Sequence, residues 1–250
     1  MSQAQDNPSI SKLATIGAAA AMIGLALLTQ GIFGIHAGLL SPMLGFSLFG
    51  AGTLLGGVSA LLIGSLALLS TRGGRDPQGR RRAWIGTIGG LALLGAVVAA
   101  GAPSANLPPI NDITTDLADP PAFAGDPSDR DGEGRDRDMT YPVAWKELVL
   151  AAYPDLQPVR LDANPSQVFV RAVQTAKQLG WVVTAEDASA GTFEAKSTTA
   201  IFQFVDDVVV RVRPDGAGSV IDLRSKSRDG QGDLGANAKR IRALFDAIER

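Results

Sequence analysis

The sequence contains no cysteine and a single histidine, His36. Without cysteine there is no disulfide bond, no thiolate nucleophile and no cysteine-based zinc site. One histidine alone cannot build a metal site or a charge-relay pair. The net charge of −2 gives no electrostatic reason to expect nucleic acid as a partner.

Charged side chains are also missing from two long stretches, between Lys12 and Arg72 and between Arg82 and Asp112. Three apolar runs lie inside these stretches: residues 13–35, 44–69 and 84–102. Each run is long enough to cross a hydrocarbon core of about 30 Å, so the sequence predicts three transmembrane helices. The first run exceeds the roughly 7–15 apolar residues of a cleaved signal peptide, so we expect it to be retained.

The distribution of arginine predicts the orientation of these helices. The loop between the second and third runs carries five arginines: Arg72, Arg75, Arg80, Arg81 and Arg82. The loop between the first and second runs carries no lysine or arginine, and positive loops mark the cytoplasmic side. We therefore expect a multi-pass protein of the cytoplasmic (inner) membrane, with a cytoplasmic N-terminus and an extracytoplasmic C-terminal domain. The lipid bilayer is its first predicted partner.

The predicted spans lack groups that would carry a solute. No Asp, Glu, Lys or Arg lies inside a span, which disfavours a transporter. Small residues four apart, at Gly34–Gly38, Gly52–Gly56 and Gly86–Gly90, indicate close packing between helices instead.

The pattern divides the chain into a membrane domain (1–102), a linker (103–140) and a soluble domain (141–250). The linker is proline-rich at first, and its residues 125–138 contain no large apolar side chain, which predicts disorder. The aspartates of this charged stretch do not form a calcium loop, because the alignment puts Pro127 at the first position and Asp138 at the twelfth.

In the soluble domain, apolar and polar residues alternate as in an antiparallel sheet, and a helical pattern precedes and follows this region. Helical spacing and capping residues predict helices over 165–179 and 234–248. Alternating segments predict about four strands: 181–185, 191–197, 207–213 and 219–227. We therefore expect an α+β fold in which two helices cover one face of the sheet.

The last hairpin has a preferred register. Pairing Val212 with Ile221 and Val210 with Leu223 puts the apolar side chains on one face. The same register places two opposite-charge pairs on the other face: Arg211 with Asp222, and Asp207 with Lys226. We interpret these charges as surface residues, with residues 215–218 as a four-residue loop.

One set of polar residues remains as a candidate site: Asp206, Ser227, Arg228 and Asp233. The register places Asp206 opposite Ser227 on the inner face, where a buried carboxylate destabilises the fold unless it has a partner. Gly230, Gly232 and Gly235 match GxGxxG, but the preceding strand is antiparallel, which argues against a dinucleotide site. Asp233 instead caps the last helix, and free amides there would suit an anion held with the help of Arg228.

Three segments resemble a bacterial envelope family known as domain of unknown function 1499. They are PPINDITTDLADPPAF (108–123), DDVVVRVRP (206–214) and SRDGQGDLGANAKRIR (227–242). The resemblance runs from about Pro108 to the C-terminus, with 126–138 as an insertion. It implies a domain joined to membrane helices but brings no activity and no catalytic residues. The layout is also similar to the helix-grip domains of envelope assembly lipoproteins.

Two functions remain open at this point. The first is a non-enzymatic module that binds or scaffolds an envelope protein, a lipid or an envelope polymer. The second is an envelope enzyme with a carboxylate and arginine site around Asp206 and Arg228. No GxSxG, Walker A or HExxH signature is present, so no cofactor or metal ion is predicted, whereas serine–lysine chemistry stays open.

Overall fold

A computed structural model describes residues 11–74, 76–101, 104–124 and 139–249. The chain divides into two compact units, Met1–Ala105 and Asn106–Arg250. The predicted disordered stretch 125–138, with its rejected calcium loop, lies outside the described residues.

The first unit is helical throughout its regular structure. Its elements are α1 (Lys12–His36), α2 (Pro42–Gly50), a π-helical segment (Ala51–Gly56), α3 (Gly57–Ser70) and α4 (Pro77–Gly101). The middle three elements form one continuous span, Pro42–Ser70. The described part of the chain therefore has three helices that are long and apolar enough to cross a membrane. The three apolar runs predicted from the sequence are therefore confirmed as helices. The first two are longer by one or two residues at each end, and the third begins seven residues earlier, at Pro77, and ends at Gly101.

Glycines bring these helices into close contact. A Cβ atom on Gly52 would lie 2.5 Å from the carbonyl oxygen of Gly24, and one on Gly56 would lie 2.6 Å from the Cα of Gly24. Gly86 approaches Gly17 of α1 in the same way. Only glycine allows backbones this close, as the spacing predicted for Gly52, Gly56 and Gly86. The predicted Gly34–Gly38 pair does not behave in this way, because a Cβ on Gly38 would meet nothing within 4 Å and one on Gly34 would meet the side chain of Leu40.

The second unit is built on an antiparallel sheet of six strands. They are β1 (Asp112–Thr114), β2 (Val159–Leu161), β3 (Val182–Asp187), β4 (Thr192–Thr198), β5 (Val205–Asp215) and β6 (Gly218–Ser227). The order is β1-β6-β5-β4-β3. β1 pairs with the C-terminal end of β6, and β2 pairs with the N-terminal end of the same strand. The sequence predicted about four strands, namely β3 to β6. β1 and β2 were not predicted, because each has three residues, which are too few to show the alternation of apolar and polar side chains.

The position of β1 changes the expected domain boundary. The sequence pattern predicts a linker over residues 103–140, whereas β1 lies inside that range and pairs with β6. Residues from Asn106 onward belong to the second unit. The prolines that suggested a linker flank a strand that has its hydrogen-bond partner far along the chain.

Three α-helices accompany the sheet: α5 (Lys146–Ala152), α6 (Pro165–Gln178) and α7 (Ala236–Ile248). The side chain of Asn164 accepts a hydrogen bond from the amide of Ser166 and starts α6, and Gly180, with φ of +81°, follows its end. One hydrophobic cluster joins these helices to the strands. It includes Val168 and Ala172 of α6, Ile241 and Leu244 of α7, Val210 of β5 and Leu223 of β6.

The register of the β5–β6 hairpin is confirmed. Val212 pairs with Ile221, and Arg211 pairs with Asp222. The loop is shorter than predicted, because Asp215 and Gly218 still pair and leave two residues at the turn. Gly216 has φ of +61° while Ala217 has no positive φ, which fits a type II′ turn.

Candidate functional site

Asp206 lies in the interior and is held by an arginine that the sequence analysis did not select. Its side chain is 2% exposed and accepts a hydrogen bond from the guanidinium of Arg240, which is 7% exposed. Arg240 comes from α7, so the pair joins this helix to β5. A buried carboxylate needs such a partner, which explains why an aspartate is tolerated on the inner face.

A small polar network surrounds this ion pair. Arg240 donates to the hydroxyl of Ser225 at 2.9 Å and to the side-chain oxygen of Asn237 at 2.6 Å. The amide nitrogen of Asn237 in turn donates to the hydroxyl of Ser227 at 3.1 Å and to the backbone oxygen of Asn111 at 3.1 Å. The network therefore joins α7, β6 and the residue before β1.

The helix α7 begins at Ala236 with Gly235 as its N-cap residue, rather than near Leu234, and the side chain of Asp233, two residues before that cap, binds its first turn. The two carboxylate oxygens of Asp233 accept hydrogen bonds from the backbone amides of Gly235 at 2.9 Å and Asn237 at 2.8 Å. Burial raises the pKa of Asp233, the two amides lower it, and the negative charge of Asp206 raises it, with a net upward shift. The helix start is thus already occupied by a carboxylate of the chain itself, which leaves less room for an external anion.

Arg228 does not join the other three candidates. Its guanidinium binds the carboxylate of Asp207 in two hydrogen bonds of 2.7 and 3.0 Å. Asp207 and Asp206 are adjacent on β5 and point to opposite faces. The structure therefore brings Asp206, Ser227 and Asp233 near one network and places Arg228 on the other side of the sheet.

The outer face of the hairpin is not the solvent surface that the sequence analysis expected. Asp222 is fully buried between Arg211 and Arg213, with contacts of 3.1 and 2.8 Å. In the segment after β1, Asp116 binds both arginines and Asp119 binds Arg211. This segment, which lies in the predicted linker, covers the face, so the charge pairs of the face are internal.

A second buried charge cluster lies at the β1 end of this face. Asp112 is fully buried and binds the guanidinium of Arg224 at 2.7 and 2.8 Å and the ammonium of Lys226 at 3.2 Å. Arg224 also donates to backbone oxygens on both sides of the 125–138 stretch, at Pro121 and Met139. The rings of Phe123 and Tyr141 lie 5.0 and 5.3 Å from its guanidinium carbon.

A cleft of about 530 Å³ opens beside Arg224. Its walls include Phe123, Tyr141, Val143 and Lys146. The volume is within the roughly 300–1,000 Å³ of small-molecule sites in proteins. None of the four residues proposed from the sequence lines it.

The part of the chain that the structure describes holds no group of three or more His, Asp or Glu side chains suited to a metal ion. Two carboxylates, Asp206 and Asp233, lie near each other, but each is occupied by partners of the chain itself. The arrangement stabilises the sheet and α7, and Asp206 is closed to solvent.

Sequence reasoning missed Arg240 and Asn237, although a signal existed. Both fall three or four positions from Ile241 or Leu244, on the face of α7 that was predicted to be buried. A polar residue on a buried helix face predicts a buried partner, and Asp206 was the available carboxylate. Asp112 and Arg224 gave no such signal, because the covering segment has no periodic pattern.

Comparison with known proteins agrees with the resemblance of the three sequence segments. No curated protein matches the chain significantly. The family model described as protein of unknown function DUF1499 matches residues 112–248, which begin at β1 and end at the last residue of α7. The chain therefore belongs to the DUF1499 family.

Proposed function

We propose that this protein is a membrane-anchored binding or scaffolding module of the cell envelope rather than an enzyme. Three helices cross the inner membrane with the arginine loop inside. The C-terminal domain lies on the extracytoplasmic side, with α6 and α7 covering one face of its sheet in a helix-grip-like arrangement. An envelope protein, a lipid or an envelope polymer is its partner.

One observation favours binding over catalysis. Asp206 and Arg228, the core of the enzymatic alternative, lie on opposite faces of the sheet and are each closed in an ion pair. A catalytic pair needs both groups within reach of one substrate atom. A domain that holds its charges internally and presents an open cleft is better suited to binding than to acid–base chemistry.

The orientation is tested with reporter fusions. A reporter active only outside the cytoplasm is fused after Arg250 and, separately, within residues 73–79. We expect activity from the C-terminal fusion and none from the loop fusion, because positive loops stay inside. Activity from the loop fusion alone would place the C-terminal domain in the cytoplasm and overturn the proposal.

The binding role is tested by copurification. The full chain and a chain that ends at Ala105 are purified from membranes, and bound lipids and proteins are identified by mass spectrometry. We expect molecules that copurify with the full chain only. If both chains carry the same molecules in the same amounts, the C-terminal domain is not the binding module.

A further inference from the structure

We propose that the cleft beside Arg224 binds a single-chain lipid with an anionic head group, through Tyr141 and Lys146. This inference rests on the proposed binding function and adds the class of ligand. It depends on the polarity of the walls, on two polar groups without partners and on the local balance of charge.

The walls of the cleft are largely apolar. Phe123, Met139 and Val143 line it. Val143 is 73% exposed, although it stands at the start of the short helical turn Val143–Trp145. A large aliphatic side chain exposed beside an aromatic ring favours a ligand with a hydrocarbon part.

The hydroxyl of Tyr141 has no hydrogen-bond partner among the residues that the structure describes. Tyr141 is 7% exposed, and its oxygen is buried without a donor or acceptor in reach. A buried hydroxyl without a partner destabilises a protein by about 1–3 kcal/mol, so most have one. Because burial raises the pKa of Tyr141, the group stays protonated and can donate to an anion.

Lys146 adds a cation that has no ion-pair partner among the described residues. It lines the same cleft, is half-buried at the start of α5, and forms no ion pair within the described part of the chain. Deeper in, Arg224 and Lys226 share the single carboxylate of Asp112. Among these described residues the charge is therefore positive, which favours a negative head group.

These groups together select an amphiphile. A free inorganic anion would leave the apolar walls without a partner, and a neutral alcohol would leave Lys146 without one. A hydrocarbon chain with one carboxylate or phosphate matches both, and palmitate is a suitable probe.

The test uses the full chain in nanodiscs of phosphatidylcholine. A palmitate with a photoreactive diazirine is added, irradiated, and its attachment sites are mapped by peptide mass spectrometry. We expect saturable labelling of the peptides that contain Phe123 and Tyr141 to Lys146. Unlabelled palmitate should compete at least tenfold better than hexadecanol, and inorganic phosphate should not compete.

Two variants make the role of each polar group measurable. Tyr141→Phe should weaken labelling about tenfold, because a hydrogen bond to an anion is lost, without lowering the melting temperature. Lys146→Gln should weaken it about fivefold, as for a partly exposed ion pair. Lys239→Gln, an exposed lysine of α7 outside the cleft, is the matched control and should label like the unaltered chain.

Three results would overturn the inference: labelling confined to the membrane helices, equal competition by hexadecanol, or unchanged labelling of Tyr141→Phe. Failure of this ligand is distinguishable from failure of the proposed function. If the cleft stays unlabelled while other molecules copurify with the full chain, the binding module stands and the lipid class is wrong. If the cleft labels while the reporter fusions invert, the site stands and the orientation is wrong.

Discussion

At the scale of single residues, Arg240 and Asp206 depend on each other. Replacing Arg240 with methionine leaves a buried carboxylate without its cation, which destabilises proteins by about 3–5 kcal/mol. For a domain of this size we expect a melting temperature lower by on the order of 10 °C. The measurement is thermal unfolding of the full chain in detergent, followed by hydrogen exchange of the β5 and β6 amides.

The control is Arg160→Met. Arg160 binds Asp215 at 2.7 Å, but its side chain is 81% exposed, so the change should stay within about 0.5 kcal/mol. Adding Asp206→Leu to Arg240→Met should recover part of the lost stability, because the unpaired charge is gone. Equal effects of Arg160→Met and Arg240→Met would contradict a structural role for the buried pair.

Asp233 gives a pH-dependent prediction. Its folded pKa lies above the unfolded value of 3.8, so the folded state keeps a proton that the unfolded state has released. The stabilisation by that proton is present at low pH and is lost as the pH rises through the folded pKa. The melting temperature of the unaltered chain minus that of Asp233→Asn should therefore fall as the pH rises above the unfolded value of 3.8.

Asp155 provides a control of opposite sign. A hydrogen bond from Arg242 lowers the pKa of Asp155, so its contribution to stability is present above 3.8 and lost as the pH falls through the folded pKa. The corresponding difference for Asp155→Asn should rise with pH, by a small amount because the carboxylate is half exposed. A difference that rises with pH for Asp233→Asn would mean that the capping amides outweigh burial.

Residue-level prediction worked where the neighbours were regular. Asp206 was recognised as unusual because alternation along β5 fixed its direction. Its partner Arg240 was overlooked, since the α7 pattern was examined for apolar residues only. The prediction that Arg211 and Asp222 lie on the surface was wrong. The burial of Asp222 depends on the segment after β1, whose apolar and polar residues follow neither a helical nor a strand period.

At the scale of elements, the glycines of the second span differ in whether they contact another helix. Gly52→Ala would place a Cβ 2.5 Å from the carbonyl oxygen of Gly24, and such overpacking costs about 1–3 kcal/mol. Gly50→Ala, two residues earlier, meets nothing within 4 Å and is the matched control. Heat-induced unfolding in detergent should start at a lower temperature for Gly52→Ala only.

An unchanged transition for Gly52→Ala would show that the spans do not pack as closely as this arrangement requires. A lower transition for Gly50→Ala would show instead that alanine itself is poorly tolerated in this helix.

Elements differ in how far the sequence reveals them. The β5–β6 hairpin was predictable with its register, because apolar and charged residues alternate on both strands and a slip would spoil both faces. β1 and β2 were not, because each has three residues and gains its stability from pairing with β6. The helical spans were the clearest, since length and hydropathy alone identify them.

At the scale of the whole molecule, the structure predicts where the second unit can be cut. A fragment that starts at Asn106 keeps β1 and Asp112 and should unfold cooperatively. A fragment that starts at Tyr141, the boundary first expected from the sequence, leaves Arg224 and Lys226 without their carboxylate. We expect it to aggregate, because the charges are unpaired and the edge of β6 that pairs with β1 is uncovered.

Size-exclusion chromatography and circular dichroism of both fragments are the measurements. A fragment from Tyr141 with the same melting temperature as the longer one would show that β1 is an accessory strand and that the first boundary was right.

The pairing of β1 with β6 also has a consequence for the order in which the protein is made. Asp112 and its partner Lys226 are 114 residues apart in the chain. At roughly 5–20 residues per second of synthesis, β1 is made on the order of ten seconds before the strand that receives it. The β5–β6 hairpin, with its two-residue turn, can close as soon as it emerges. The first strand to be synthesised is therefore expected to be among the last to be placed.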